Sequence, residues 1–106
     1  MSKLQEIHLS VPNLPYMNET QSDVMSQIIN SNKFESILEL GTYQGKGTLC
    51  MAAICEDRGA GHVTTMDRAF TNTLKPGLTK LAKRFKLNKR ITQIVGQVSY
   101  MWDLNK

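Results

Sequence analysis

The sequence is short of the features that would place it in a membrane, an oxidising compartment or a metalloprotein. No apolar run approaches the roughly 20 residues that a bilayer-spanning helix needs. The N-terminal stretch MSKLQEIHLSVPNLP holds no continuous apolar core followed by a small-residue cleavage site, so no signal peptide is expected. Cysteine is limited to Cys50 and Cys55, five apart in a predicted helix. Rigid helical geometry keeps their Cα atoms too far apart for a disulfide, and the spacing is not the C-x-x-C of a redox pair. They are expected as buried thiols, with cytoplasmic residence as the default. Histidine is limited to His8 and His62, and no cluster of His, Cys and acid has metal-ligand spacing, so no metal is expected. His62 opens a predicted strand, where a structural role is expected.

Acid is also missing from a long segment. Between Arg68 and Trp102 there is no Asp or Glu, while Lys75, Lys80, Lys83, Arg84, Lys86, Lys89 and Arg90 fall within it. This segment accounts for much of the net charge of +4 and the pI of about 9.2. Such a face can attract phosphate or nucleic acid. No aromatic residues interleave it in a stacking pattern, which weighs against nucleic acid and for a solvated helix face.

What is present is one small domain: 106 residues, 41% hydrophobic and 21% charged. Residues 1–17, with Pro12 and Pro15 and no clear period, are expected to be an arm, and residues 18–106 the folded part. A helix is predicted over 19–31, with Val24, Met25, Ile28 and Ile29 on one face and Thr20 with Asp23 as its N-terminal cap. FESILEL, 34–40, reads as a strand buried on both faces. Helix 47–57, stopped by the glycines of RGAG, strand 62–67, helix 78–87 and strand 90–96 follow, with a further helix beginning in VSYMWDLNK. Alternation of this kind predicts an α/β fold, a partial Rossmann-like parallel sheet of three strands in the order 3-2-1 flanked by helices.

The stretch ILELGTYQGKGTLCMA, 37–52, carries the functional signal. A strand ends, three glycines arrive within seven residues and a helix begins. Ligands of open α/β sheets bind beyond the carboxyl ends of the strands. Glycine lets backbone approach a ligand there, and the helix turns its free N–H groups toward the same place. A Walker A loop fails on spacing, since Gly47 separates Lys46 from Thr48. The dinucleotide fingerprint G-x-G-x-x-G keeps two glycines at Gly45 and Gly47 but places Cys50 where a small residue is needed, so a nicotinamide nucleotide domain stays as an alternative.

The same stretch resembles motif I of the class I S-adenosylmethionine-dependent methyltransferases, and within them the branch around catechol and caffeoyl-CoA O-methyltransferases, whose loop reads E-[LI]-G-[TA]-[YF]-x-G-x-S. Glu39, Gly41, Thr42, Tyr43 and Gly45 match; Gly47 departs from the hydroxyl residue of that branch, although Thr48 is adjacent. The resemblance covers roughly 34–98 and implies S-adenosylmethionine as cofactor. It implies that Glu39 and the Gly41 backbone hold the methionine end, with Tyr43 lying over it or packing on the sheet. It implies that Asp67, at the end of the second strand, accepts from the ribose hydroxyls, two carboxylate oxygens suiting a vicinal diol. Arg68 is placed along the adenine, and Gln97 and Val98 in an adenine-contacting loop. A domain of this class has seven strands, so the chain is expected to be the N-terminal half only. The half that would carry the substrate pocket and catalysis is absent, and no catalytic residue is assigned. A small-molecule methyl acceptor is then expected in the complete protein. The first strand, lacking its far neighbour, is expected to leave an open edge over 34–40 that pairs with a second copy or is covered by the N-terminal arm. A basic nucleic-acid-binding module is the non-enzyme alternative.

Overall fold

Among the described residues two helices come first, strands and helices then alternate, and a single helix organises them. The structure is a computed structural model and describes residues 1–15, 17–68 and 77–96. The loop expected at RAFTNTLKPG falls largely outside these residues, and the helix expected in VSYMWDLNK lies wholly outside them.

The N-terminus is not an arm. Residues Lys3–Ser10 form helix α1, capped by Ser2, whose hydroxyl accepts from the Gln5 N–H while the Gln5 side chain returns the bond to the Ser2 N–H. Two free N–H groups of its first turn, those of Lys3 and Leu4, donate to the Asp57 carboxylate at 2.8 and 3.2 Å. A carboxylate at a helix N-terminus satisfies orphan donors and opposes the dipole. Leu4, Ile7, His8 and Val11 follow helical spacing, and Ile7 is fully buried, so the period was present over too few turns to stand out.

Helix α2 spans Glu19–Asn32. Its cap is Asn18 paired with Gln21, not Thr20 with Asp23. Ile29 and Ser22 are buried and Met25 half-buried, whereas Val24 and Ile28, expected on the core face, are exposed.

Strands β1 (Ser36–Leu40), β2 (His62–Arg68) and β3 (Ile91–Gly96) form a parallel sheet in the order β1-β2-β3, the order expected. Registers Ile37 to Val63 to Ile91 and Glu39 to Thr65 to Gln93 put these side chains on one face. That face meets helix α3, Lys46–Arg58, in which every residue from Thr48 to Cys55 is buried. A helix apolar around its whole circumference belongs in a core. Here α1, α2 and the sheet surround α3, and replacing fully buried Leu49 by Ala would cost about 2–5 kcal/mol. Gly59, in the left-handed conformation, ends α3 as RGAG predicted. Cys50 and Cys55 are free and buried, and burial pushes the Cys50 thiol up to about 12.

Helix α4, Leu78–Arg84, is shorter than expected: it ends at Phe85, and a 3-10 turn at Asn88–Arg90 leads into β3. Phe85 and Leu87 are buried. β1 is not buried on both faces. The described helices pack on one side of the sheet, leaving Leu38 at 53% and Leu40 at 49% exposure on the other. His62 Nε2 lies 2.7 Å from Thr92 Oγ1 at the start of the sheet, a cross-strand contact on that open side.

Candidate functional site

The bend between β1 and α3 is built from backbone that only a few residue types tolerate. Gly41 and Gly45 have φ of +100° and +92°, where a side chain is strained, and Tyr43 sits between them at +52°. The Gly41 N–H donates to the Met66 carbonyl at 2.8 Å, and the Gly45 N–H donates back to the Thr42 carbonyl at 2.9 Å. A non-glycine residue in the left-handed region costs on the order of 1 kcal/mol. Asp67 offsets it: its Oδ2, buried at the end of β2, accepts from the Tyr43 N–H at 2.7 Å. The acid of the second strand and the bend after the first are therefore in direct contact. Gly45 opens α3 without a side-chain cap, so the first-turn N–H groups of the helix face the bend with no capping side chain.

Beneath the bend lies a hydroxyl chain ending on Glu39. Thr48 of α3 and Thr65 of β2 both donate to Glu39 Oε1, Thr65 at 2.8 Å. Since Thr65 has one proton and gives it to Glu39, Thr42 must donate to Thr65 across their 2.7 Å separation. Burial pushes the Glu39 carboxyl above the usual carboxylate range; the two hydroxyls pull it down, and the Asp67 charge adds to the rise. Gly47 explains itself here. A Cβ built on it would stand 2.9 Å from Glu39 Oε2, so the residue that departs from motif I makes room for the acid of motif I.

A cavity of about 170 Å³ opens on this arrangement. Glu39, Gly41, Thr42, Tyr43 and the Gly45–Gly47 segment form its floor, and Pro15 and Met17 of the α1–α2 connector form its wall. It is smaller than the 300–1,000 Å³ typical of a pocket enclosing a whole drug-sized ligand and suits one polar end of such a molecule. A second cavity, about 460 Å³, lies between α1 and α2 against Leu4, His8, Leu9, Glu19 and Asp23 and includes no residue of the bend. Volume alone would favour it. The strand-end position, the positive-φ backbone and the half-buried Glu39 place the chemistry at the smaller one.

Of the residues singled out from sequence, Glu39, Gly41, Thr42, Tyr43, Gly45 and Asp67 come together. Tyr43 does not pack into the sheet: its ring covers Gly41 and is more than half exposed. Arg68 ends β2 beside Gly96, and Gln97 and Val98 lie outside the described residues. The sequence reading named Thr48 only as the hydroxyl neighbour of Gly47 and missed Thr65, Lys46, and Pro15 with Met17. Strand alternation could have found Thr65, which shares a face with Glu39 and Asp67. Nothing local marks Met17, which reaches the site because the connector crosses it. Among the described residues no group of three or more His, Cys, Asp or Glu is placed to hold a metal, and no helix is long and apolar enough to cross a membrane.

Parallel strands ending on a glycine bend and two acids, with helices packed against one face, form part of the Rossmann-like fold of methyltransferases. Known structures with this fold include a Staphylococcus aureus protein assigned as a caffeoyl-CoA O-methyltransferase, with 26% identity, a TM-score of 0.64, and coverage of 88% of this chain and 42% of that one. The SAH-bound methyltransferase PaMTH1 of Podospora anserina aligns at 17% identity and a TM-score of 0.72, over 98% of this chain and 45% of its own. The O-methyltransferase of Bacillus cereus in complex with SAH aligns at 23% identity and a TM-score of 0.68, over 97% and 46%. The chain thus spans less than half the length of the structures it resembles. No family model and no curated protein sequence matches it.

Proposed function

We propose that this chain is the S-adenosylmethionine-binding part of a methyltransferase, acting in the complete protein on a small-molecule acceptor by O-methyl transfer. The observation that carries the reading is the bond from the Tyr43 N–H to Asp67, which brings the acid at the end of β2 onto the glycine bend after β1. The bend fits the cofactor on its own geometry. Positive-φ glycines bring bare backbone to the cavity, Glu39 offers a half-buried carboxylate for the ammonium of the methionine end, and the uncapped start of α3 faces its carboxylate. Asp67 would take the ribose hydroxyls and Arg68 the adenine side, with Gln97 and Val98 beyond. The cofactor, when bound, supplies an electrophilic methyl group. The described residues bind and orient it, and none is assigned as the base for the acceptor. Self-association through the open edge of β1 belongs to the same proposal.

Isothermal titration with S-adenosylhomocysteine tests it. Binding is expected for the wild type. Asp67→Asn keeps an oxygen for the Tyr43 N–H but loses the charge, and is expected to weaken binding about 10- to 100-fold. NAD binding in place of S-adenosylhomocysteine would move the site to the nicotinamide alternative. Binding to nucleic acid that falls steeply with salt, with neither nucleotide bound, would move it to the basic module.

A further inference from the structure

Lys46 is the first residue of α3 and is 3% exposed, which is rare for lysine without a partner. Its ammonium donates to the carbonyl of Val11 at 3.2 Å. Val11 is the C-cap of α1, where unsatisfied carbonyls and the negative end of the helix dipole gather, so a cation there satisfies an acceptor and opposes the dipole. Among the described residues no carboxylate forms an ion pair with Lys46. His8, on α1, and Cys50, one turn along α3, are the titratable groups that feel its charge.

The position of this contact gives it a consequence for the site. Lys46 stands directly after Gly45 and lines the same cavity as the bend. From Val11 the connector runs through Leu14, whose N–H also donates to the Val11 carbonyl, to Pro15 and Met17, the wall of that cavity. The Met17 methyl lies 3.7 Å from where a Cβ on Gly47 would be. One carbonyl therefore anchors the start of the connector to the first residue of the helix that forms the cavity floor.

We infer that Lys46 is a positioning residue that clamps the α1–α2 connector over the pocket, so that pocket occupancy and connector closure are coupled through the Lys46 to Val11 contact. The inference rests on the proposed cofactor site for its ligand but not for the clamp itself. A lysine that only covered apolar surface with its stem would be replaced by methionine without consequence for the connector. Replacing a buried charge by an apolar side chain of similar length is also compatible with folding.

The test is hydrogen exchange on the full 106-residue chain, wild type, Lys46→Met and Lys46→Arg, with and without S-adenosylhomocysteine. Lys46→Met is expected to lose protection at the Val11 and Leu14 amides, which are hydrogen-bonded to Ile7 and Val11, while amides 49–55 and 63–66 keep theirs, to bind S-adenosylhomocysteine about tenfold more weakly and to release it faster. Lys46→Arg, which can still donate to Val11, is expected to restore protection and affinity. Unchanged exchange at Val11 and Leu14 in Lys46→Met, or a loss spread evenly over the chain, overturns the clamp. If the wild type fails to bind S-adenosylhomocysteine, the cofactor proposal falls, and the ligand-free exchange at Val11 and Leu14 still decides the clamp.

Discussion

Placing alanine at Gly47 sets two known effects against each other. Gly47 is the second residue of α3 with ordinary helical backbone, so alanine should gain up to about 1 kcal/mol from helix propensity. The new methyl would stand 2.9 Å from Glu39 Oε2. A flexible carboxylate would step aside at little cost, but this one is half-buried and its other oxygen is held by Thr48 and Thr65. Displacing it costs about 1–3 kcal/mol, as overpacking does elsewhere. The net expectation is a destabilisation between about 0 and 3 kcal/mol, at about 4–8 °C of Tm per kcal/mol for a chain of this size. The informative assay is a double-mutant cycle by chemical denaturation. In a Glu39→Ala background the clash has no partner, so Gly47→Ala should become stabilising, with a coupling energy of about 1–3 kcal/mol. Serine at the same position, the residue of the resembling motif, should show the same coupling and should not improve cofactor binding. Zero coupling, with Gly47→Ala stabilising in both backgrounds, would refute the claim that Gly47 exists to seat Glu39.

Three further outcomes follow from the same geometry. Burial raises the Glu39 pKa above 4.5, so its contribution to stability is fully present below 4.5 and is lost as pH rises through the folded value. A ligand ammonium needs the ionised form, so S-adenosylhomocysteine affinity should weaken as pH falls through that value, and Glu39→Gln should flatten both profiles. His8 is shifted the other way, below 6.5, by burial first and then by Lys46, against Glu19 and Asp23; its Nε2 also lies 2.8 Å from Ser22 Oγ. The unfolded chain then takes up the proton first, so stability should fall as pH drops below 6.5, and denaturation of His8→Gln should show a shallower fall. Finally, among the described residues β1 has one strand neighbour, β2, and helix α1 packs on α3. Light scattering is expected to give a dimer, and a monodisperse monomer with rapid amide exchange from Ile37 to Leu40 would exclude self-pairing.

The sequence made the bend legible because its chemistry is local. Gly41 and Gly45 are glycines for a reason that acts within five residues, and Asp67 is found by counting to the end of the next strand. Strand order was legible for a similar reason: short β-α-β connections restrict parallel strands to few arrangements. What was missed depends on contacts distant in sequence. Helix α1 has under three turns of period, and it is held in place by Asp57, more than fifty residues away. The exposed faces of β1 and α2 were read as core because Leu38, Leu40, Val24 and Ile28 are apolar, and apolarity does not say whether a partner is present. These misreadings have one physical origin. A strand with apolar residues on both faces is composed for two layers of cover, and the described helices supply one. Among the described residues the same strand lacks both a second layer of cover and a second strand neighbour, and the solved structures of this fold extend to more than twice the length of this chain. The sequence of β1 is therefore suited to a larger sheet than the described residues form, which is why its composition predicted burial where the structure shows exposure.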